Sequence, residues 1–247
     1  MDEKRKKLFS DEEFDKVLNI GDELVFDKPE LRKLRIDLTW AGNENNKPDL
    51  DICAFLLGKD GMIHKKEDLV YFGSRLRWKT SKEFNDPNFN PLEGKFSTWP
   101  DADFHNPRKW MDATLPISED GSVIGSWDDM PDGDDDGDDY CGETMHVLLD
   151  EVDTGSCVSI QFAAAVAKLD IAEGYTFADA HDPIVTIYNA DTEEQIAEYK
   201  LAGSFPGKDA VCFARMEFNE ETFLWNFTPM GEGYNGGIQF LATEVFN

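Results

Sequence analysis

Residues 33–40 read Lys33-Leu-Arg-Ile-Asp-Leu-Thr-Trp40, and this stretch decides the fold class. Apolar and polar side chains alternate along all of it after the first lysine. Successive side chains of a β-strand point to opposite faces of a sheet, so a period of two is typical of a strand with one buried and one solvated face. The stretch therefore predicts a half-buried strand, which is common in antiparallel sheets.

Short apolar segments of similar length recur along the chain, separated by Gly, Asn, Asp and Pro. Such a pattern is typical of a β-sandwich or barrel rather than of β-α-β units. We predict an all-β fold, a β-sandwich of two mainly antiparallel sheets. The further candidate strands are Leu50–Leu57, Asp68–Phe72, Ser122–Ser126, Thr144–Leu149, Cys157–Val166, Pro183–Ala190, Gln195–Leu201, Ala210–Phe218, Thr222–Thr228 and Gly237–Phe246.

Two segments depart from this pattern. Residues 1–20 predict a short N-terminal helix, because Ser10 and Glu13 have the spacing of a capping box. Residues 74–118 carry five prolines and many aromatic side chains, which predicts a long Pro/aromatic-rich insertion that lies over the sandwich. It either covers a sheet edge or binds a partner. The domain organisation is thus a lead-in (1–20) and a single sandwich domain (21–247) with this insertion.

The charge of the chain excludes some partners. Its 247 residues include 51 acidic and 24 basic ones, for a formal net charge of −27. Such a field repels phosphate backbones and anionic lipids, so we expect no nucleic-acid partner and no membrane insertion. The N-terminus shows no apolar signal segment, and the four cysteines are scattered. These features predict a cytoplasmic protein with reduced, buried thiols and no structural zinc site.

The densest cluster of charge is the segment Asp128–Glu143, in which nine of sixteen residues are acidic and none is basic. Neighbouring carboxylates repel each other by about 1 kcal/mol per close pair even in water. A compact loop of this composition therefore requires a cation, and Ca²⁺ accepts the irregular set of oxygen ligands that Asp side chains supply. The alternative is a solvated acidic loop that holds no metal.

Spacing within the segment strengthens the calcium prediction. From position 132 it satisfies the pattern of an EF-hand loop, with acidic residues at loop positions one, three, five and twelve and Gly137 at the turn. The flanking residues do not predict the two helices of an EF-hand. The candidate ligands in the segment are Asp128, Asp129, Asp132, Asp134, Asp136, Asp138, Asp139 and Glu143.

A second acidic pair stands at the start of a candidate strand. Asp49 and Asp51 flank Leu50, and the two-residue period of a strand points both carboxylates to the same side. Two carboxylates at the mouth of a strand can complete a cation site with ligands from distant sequence. The alternative is that both are ordinary polar residues at a strand end.

Several of these segments resemble the TerD family of tellurium-resistance and stress-response proteins. The resemblance covers about residues 16–74 and 119–246. It is carried by Leu18–Asp22, Leu34–Trp40, Asp49–Phe55, Val70–Phe72, Asp120–Val123, Trp127–Asp129, Gly137–Asp139, Tyr175–Phe177, Trp225–Phe227 and Gly231–Gly237. The D-L-D segment at Asp49–Phe55 is the strongest of these. The chain departs from the family pattern at Tyr140, where a Glu is expected.

The resemblance implies a cytoplasmic, calcium-binding β-sandwich without catalysis, linked to stress and metal-oxyanion resistance. Position by position, it implies site residues at Asp49, Asp51, Asp128, Gly137, Asp138 and Asp139. We therefore expect Ca²⁺ as the cofactor and protein partners within a stress-response complex.

Two other function classes remain open. A metal-dependent hydrolase would use the acidic loop to hold a catalytic ion, and it needs a nearby base, for which His146 is the candidate. A carbohydrate-binding sandwich held together by calcium would expose some of the six tryptophans.

Overall fold

The computed structural model describes residues 16–28, 30–41, 48–80, 94–98, 114–126, 140–201 and 205–247. The strands in these ranges are β1 (Leu24–Phe26), β2 (Lys33–Ala41), β3 (Leu50–Leu57), β4 (Leu69–Val70), β5 (Leu76–Thr80), β6 (Gly94–Thr98), β7 (Thr114–Pro116), β8 (Val123–Gly125), β9 (Tyr140–Leu148), β10 (Ser159–Val166), β11 (His181–Asn189), β12 (Gln195–Lys200), β13 (Ala210–Asn219) and β14 (Leu224–Tyr234).

Two large antiparallel sheets carry the fold. The six-stranded sheet has the order β1-β14-β13-β10-β3-β4, and the five-stranded sheet has the order β12-β11-β2-β9-β8. Alternate side chains of β2, from Leu34 to Trp40, are fully buried and share one core with inward-facing side chains of β3 and β10. The predicted sandwich of two antiparallel sheets is therefore confirmed, and β2 shows the alternation that its sequence predicts.

Strand β3 is buried on both faces. Its even-numbered side chains face the main core, whereas Cys53, Phe55 and Leu57 belong to a second core on the outer side of the six-stranded sheet. This outer core is closed by the C-terminal helix, whose Phe246 ring lies 4.7 Å from the ring of Phe55. Burial on both sides explains the nearly continuous apolar sequence of this strand.

The C-terminal residues Gly237–Phe246 are not the strand that the sequence analysis predicts. They form α2 (Gly237–Phe240), which continues as a π-helical turn over Leu241–Val245. The apolar positions 238, 241, 242 and 245 follow the three- and four-residue spacing of a helix, and they face the outer core. Gly236, with a φ of 109°, lets the chain turn from β14 into α2.

The helix α1 (Lys168–Glu173) directly follows β10 and is absent from the sequence prediction. The N-terminal helix is not confirmed. Residues 1–15 lie outside the described ranges, and residues 16–20 are not helical, since Val17 forms a parallel bridge with Glu198 and Leu18 donates its N–H to the same residue. None of the helices in the described ranges combines the length and apolar character that a membrane crossing requires.

Part of the predicted insertion forms a third sheet, with the order β6-β5-β7. An isolated bridge between Ile117 and Ile124 joins its last strand to β8, so this sheet is attached to the sandwich. The buried Arg77 secures it by donating to the carbonyl oxygens of Thr114 (2.7 Å) and Phe72 (2.6 Å). Burial lowers the pKa of this guanidinium to about 10. Residues 81–93 and 99–113 of the insertion lie outside the described ranges.

A hydrogen bond between the two large sheets gives a test of the sandwich. The buried hydroxyl of Tyr199 on β12 donates to the carbonyl oxygen of Phe213 on β13 (2.6 Å), at the bulge where β13 loses register with β14. Tyr199→Phe leaves this buried carbonyl without its donor, so we expect urea denaturation to show a loss of about 1–3 kcal/mol. Tyr188→Phe, on the outer face, removes a hydroxyl that bonds the side chains of Thr186 and Arg35, where water can replace it, and should cost only about 0.5 kcal/mol. Equal effects would contradict this role of the hydroxyl.

Candidate functional site

The acidic loop connects β8 to β9, and the described residues fix both of its ends. The N–H of Ser126 donates to the carbonyl of Thr144 (2.8 Å), and the N–H of Thr144 donates to the Ser126 hydroxyl (3.1 Å). Ser126 and Thr144, which lie on either side of residues 127–139 in the sequence, are therefore hydrogen-bonded neighbours in the sheet. The candidate ligands within this segment lie outside the described residues: Asp128, Asp129, Asp132, Asp134, Asp136, Asp138 and Asp139.

Glu143 connects the base of this loop to the start of β3. Its side chain is only 4% exposed, and its carboxylate accepts a hydrogen bond from the N–H of Ile52. Strand β4 pairs only with Ala54 and Phe55. In the described part of the chain, the carboxylate of Glu143 thus takes the place of a strand beside the first half of β3. Glu143 is both the twelfth residue of the predicted loop and a contact between the two sheets.

Asp49 and Asp51 lie where the sequence analysis predicts, at the beginning of β3. Asp51 is 6% exposed and pairs with Ala165 of β10, while Asp49 is half-buried and its carbonyl accepts from the N–H of Ala167 (2.9 Å). The indole N–H of the fully buried Trp40 donates to the carbonyl of Pro48 (3.0 Å). The end of β2 therefore positions the backbone that carries the two aspartates.

Asp170 is a fourth carboxylate at this place, and the sequence analysis did not single it out. It lies on α1, is 3% exposed, and accepts a hydrogen bond from the N–H of Asp49 (2.8 Å). Its position depends on the helix after β10, which was not predicted, so no local pattern marked it. Had the helix been predicted, Asp170 would have stood out as an acidic residue in its first turn, where a negative charge is favoured.

We call one end of the sandwich its acidic end. There β2 ends at Ala41, which pairs with Tyr140 at the start of β9, and β3 starts at Leu50, which pairs with Val166 at the end of β10. The glycine-rich segment after β14 lies at this end too, because Asp209 precedes β13 and its carboxylate accepts from the N–H groups of Gly236 (2.7 Å) and Gly237 (2.9 Å). Asp49, Asp51, Glu143 and Asp170 thus share one end of the fold with the acidic loop.

The buried charge at the acidic end affects its neighbours. Burial raises the pKa of the Cys53 thiol well above its usual range, and the nearby Cys212, Asp51 and Glu143 add to this effect. Burial likewise raises the pKa of Tyr71, with smaller contributions from Asp51 and Cys53. All four cysteines are buried and none forms a disulfide, as predicted. Cys53 is therefore a neutral thiol.

The donor chemistry suits a hard cation. The side chains that the acidic end offers are carboxylates, and oxygen ligands of this kind are the ones that Ca²⁺ takes. Within the described ranges, no three His, Cys, Asp or Glu side chains converge closely enough to hold a metal ion. A complete ligand set would thus need oxygen atoms from the acidic loop beside those of Asp49, Asp51 or Glu143.

His146 does not belong to the acidic end. It is three positions from Glu143 on β9, so the two side chains point to opposite faces of the strand. His146 lies on the outer face of the five-stranded sheet, where it pairs with Arg35. Burial lowers its pKa to about 4, and the charge of Arg35 adds to this effect.

The lowered pKa of His146 predicts a pH-dependent stability. Because the folded state favours the neutral imidazole, its contribution is fully present above the usual pKa of 6.5 and is lost as the pH falls toward 4. We expect His146→Gln to reduce the loss of stability between pH 7 and pH 4, measured by urea denaturation in chelator. The exposed His181→Gln serves as control. Identical pH profiles for His146→Gln and the unaltered chain would contradict this role.

Comparison with known proteins gives a consistent family. The TerD domain matches residues 17–86 and 115–245, which leaves 87–114, within the predicted insertion, outside the match. General stress protein 16U of Bacillus subtilis is 25% identical over 225 residues, covering 90% of this chain and 91% of that protein. Tellurium resistance protein TerD of Serratia marcescens is 22% identical over 218 residues, covering 87% and 88%.

One solved structure supports the fold. The crystal structure of a homologue of telluride resistance protein (TerD) from Streptomyces coelicolor aligns with a TM-score of 0.51 and 17% sequence identity. The alignment covers 88% of this chain and 98% of that one. At this identity the likeness concerns the arrangement of the strands alone.

Proposed function

This chain belongs to the TerD family, and from this premise we propose that it is a non-catalytic, calcium-binding protein of the bacterial stress response, in which tellurium resistance is included. It acts as a structural or interaction module. Calcium binds at the acidic end of the sandwich, between the acidic loop and the carboxylates of β3 and β9. The ordered loop then offers a surface to protein partners of a stress-response complex.

The single observation that carries this proposal is the contact between Glu143 and the N–H of Ile52. It brings the end of the acidic loop to the residue next to Asp51, although these positions are about ninety residues apart in the chain. Both carboxylates are almost fully buried. Burial of carboxylates is costly, and a divalent ion held between them and the loop would add to the interactions that already stabilise them.

Charge in the loop itself gives the second support. The nine acidic residues between Asp128 and Glu143 repel one another, and both ends of the segment are held by hydrogen bonds. A chain fixed at both ends cannot separate its carboxylates freely. When Ca²⁺ binds, the carboxylates are attracted to the ion instead of repelling one another. Calcium binding and ordering of the loop therefore favour each other.

The hydrolase alternative is less well supported. It needs a base beside the ion, and His146, the candidate that the sequence offered, points away from Glu143 to the opposite face of β9. The neighbouring Cys53 has a raised pKa and is a neutral thiol, so it is a poor nucleophile. Binding without catalysis accounts for the same carboxylates with fewer requirements.

Calcium affinity of matched variants tests the proposal. We expect Glu143→Gln to weaken Ca²⁺ binding about tenfold or more, because it removes one charged oxygen ligand while its amide oxygen still accepts from Ile52. Glu220→Gln is the control, since Glu220 is exposed, pairs with Lys59 and lies at the opposite end of the sandwich. Competition with a fluorescent chelator measures both. Equal affinities in the two variants would contradict the proposed position of the ion.

The role in stress resistance needs a separate test in cells. We expect expression of the unaltered chain to increase survival of a tellurite-sensitive bacterium that lacks its own TerD-family protein, and Glu143→Gln to lose this effect. If the Glu143→Gln variant still protected the cells, the role in stress resistance would not depend on calcium binding through Glu143.

A further inference from the structure

A cavity of about 560 Å³ lies on the outer side of the six-stranded sheet. Its walls are the segment between β3 and β4, the turn after β4 and the C-terminal helix. The hydrogen bond from the N–H of Ile63 to the carbonyl of Phe246 (2.7 Å) holds two of these walls together. Elements of the folded sandwich therefore form the cavity, and its volume is in the range that accepts a small molecule.

Charged side chains at the mouth of the cavity are paired within the protein. Lys65 pairs with Glu119 and lies 3.9 Å from Asp68. The ring of His64 lies 3.1 Å from the carboxylate of Asp60. Carboxylates thus lie beside the basic groups, and an ion that entered the cavity would compete with these contacts while losing its own hydration. A neutral molecule meets neither cost, so the charges at the mouth favour an uncharged ligand.

The inner wall of the cavity is apolar. Leu69, Leu76 and Ile117 line it together with the half-buried side chain of Tyr71. Leu69 and Tyr71 pack on the outer core, whereas Leu76 and Ile117 belong to the hydrophobic cluster around Ile124. Two separate clusters therefore fix this wall. Apolar surface of a ligand that is buried against it contributes about 25 cal/mol per Å² to binding, before the cost of association.

The hydroxyl of Tyr71 adds one hydrogen-bond donor to this wall. The backbone N–H of Tyr71 donates to the Ser74 hydroxyl (3.1 Å), but its phenolic hydroxyl has no hydrogen-bond partner among the described residues. Gly73, which also lines the cavity, leaves space at this hydroxyl, since a Cβ there would lie 2.8 Å from the phenolic oxygen. Burial raises the pKa of Tyr71, so the hydroxyl keeps its proton and can donate it in a hydrogen bond.

We propose that this cavity binds a small, uncharged, largely apolar molecule that carries a carbonyl oxygen. The carbonyl oxygen accepts a hydrogen bond from the Tyr71 hydroxyl, and the apolar part of the molecule packs on the aliphatic wall. A carbonyl matches a lone donor because it accepts a hydrogen bond and has no donor of its own to satisfy. The proposal does not depend on calcium binding at the acidic end.

Ligand-observed NMR titration of the full chain in chelator tests this proposal with molecules of nearly the same shape. Acetophenone is the uncharged carbonyl probe, α-methylstyrene has a CH₂ group in place of its oxygen, and benzoate and benzamidine carry a negative and a positive charge. We expect acetophenone to bind more tightly than either charged molecule. Tyr71→Phe should weaken acetophenone binding about threefold to tenfold, through the loss of one hydrogen bond, and should leave α-methylstyrene binding unchanged.

Tyr188→Phe is the matched control, because this tyrosine lies on the other large sheet, and it should leave both affinities unchanged. Absence of acetophenone binding, or a Tyr71→Phe variant that weakens acetophenone no more than α-methylstyrene, would overturn the proposal. Benzoate or benzamidine binding as tightly as acetophenone would overturn the uncharged ligand class. Because Tyr71→Phe keeps the ring on the outer core, an unchanged melting temperature should show that the variant remains folded.

Discussion

Removal of calcium is expected to lower the melting temperature of this protein by roughly 5–11 °C. A ligand at about 100 times its Kd stabilises the state that binds it by about 2.7 kcal/mol, and 1 kcal/mol shifts the melting temperature of a chain of this size by about 2–4 °C. The physical reason is that Ca²⁺ at the proposed site would neutralise the repulsion between carboxylates of the acidic loop and those at the start of β3. Differential scanning calorimetry in calcium and in chelator measures the shift.

A loop variant separates this effect from a general response to salt. Asp134→Asn/Asp136→Asn removes two candidate ligands and also two repelling charges. In chelator, the variant should therefore melt at the same temperature as the unaltered chain or higher, and calcium should stabilise it far less. The exposed Asp191→Asn, in the turn between β11 and β12, should keep the full calcium response. If the Asp134→Asn/Asp136→Asn variant also kept the full calcium response, the assignment of the loop as the calcium site would be contradicted.

Substitution of Trp40 is expected to have the largest effect on folding. Its side chain is fully buried in the main core, so Trp40→Ala should cost about 3–5 kcal/mol in urea denaturation. This loss is a large fraction of the total stability of about 5–15 kcal/mol that is typical of folded proteins. A cost below about 1.5 kcal/mol would mean that the core at the acidic end is looser than the described packing.

The milder Trp40→Phe substitution tests how the core positions the site. It keeps an aromatic ring but removes the indole N–H that donates to the carbonyl of Pro48, next to Asp49. We expect weaker calcium binding in this variant. Trp225→Phe, also in the core but paired with Phe26 on β1, should leave the affinity unchanged. Equal calcium affinities would show that the indole does not position the aspartates.

The sequence predicts the sandwich well because its strands carry local signals. Alternation in residues 33–40 indicates a strand with one buried face, and the apolar run of residues 50–57 indicates a strand buried on both faces. Both strands lie within one residue of the predicted limits. The turn residues between the strands then mark where each strand ends. Each of these signals is contained in a window of fewer than about ten residues.

The helical elements were missed because tertiary contacts decide them. The apolar residues of Gly237–Phe246 fit a short strand by composition, but the outer face of β3 needs a cover, and only the helical spacing turns Leu241 toward it. The same limit hid Asp170. Its carboxylate gains its role from the N–H of Asp49, a partner 121 residues away. No local pattern records such a contact.

The candidate site was partly predictable. The two-residue period correctly placed Asp49 and Asp51 at the mouth of one strand, and the loop spacing singled out Glu143, which contacts the same strand. The sequence could not show that the Glu143 carboxylate accepts a hydrogen bond from the N–H of Ile52, because this contact depends on how the two sheets face each other. Likewise, it offered His146 as a neighbour of the loop, although the pleat of β9 turns that side chain away.

Calorimetric titration of the chelator-treated chain with Ca²⁺ at low salt shows whether the acidic end binds this ion. We expect saturable binding that disappears when Asp134, Asp136 and Glu143 are replaced together by alanine. A flat titration of the unaltered chain, or binding that the triple variant retains, would contradict a calcium ion at the acidic end.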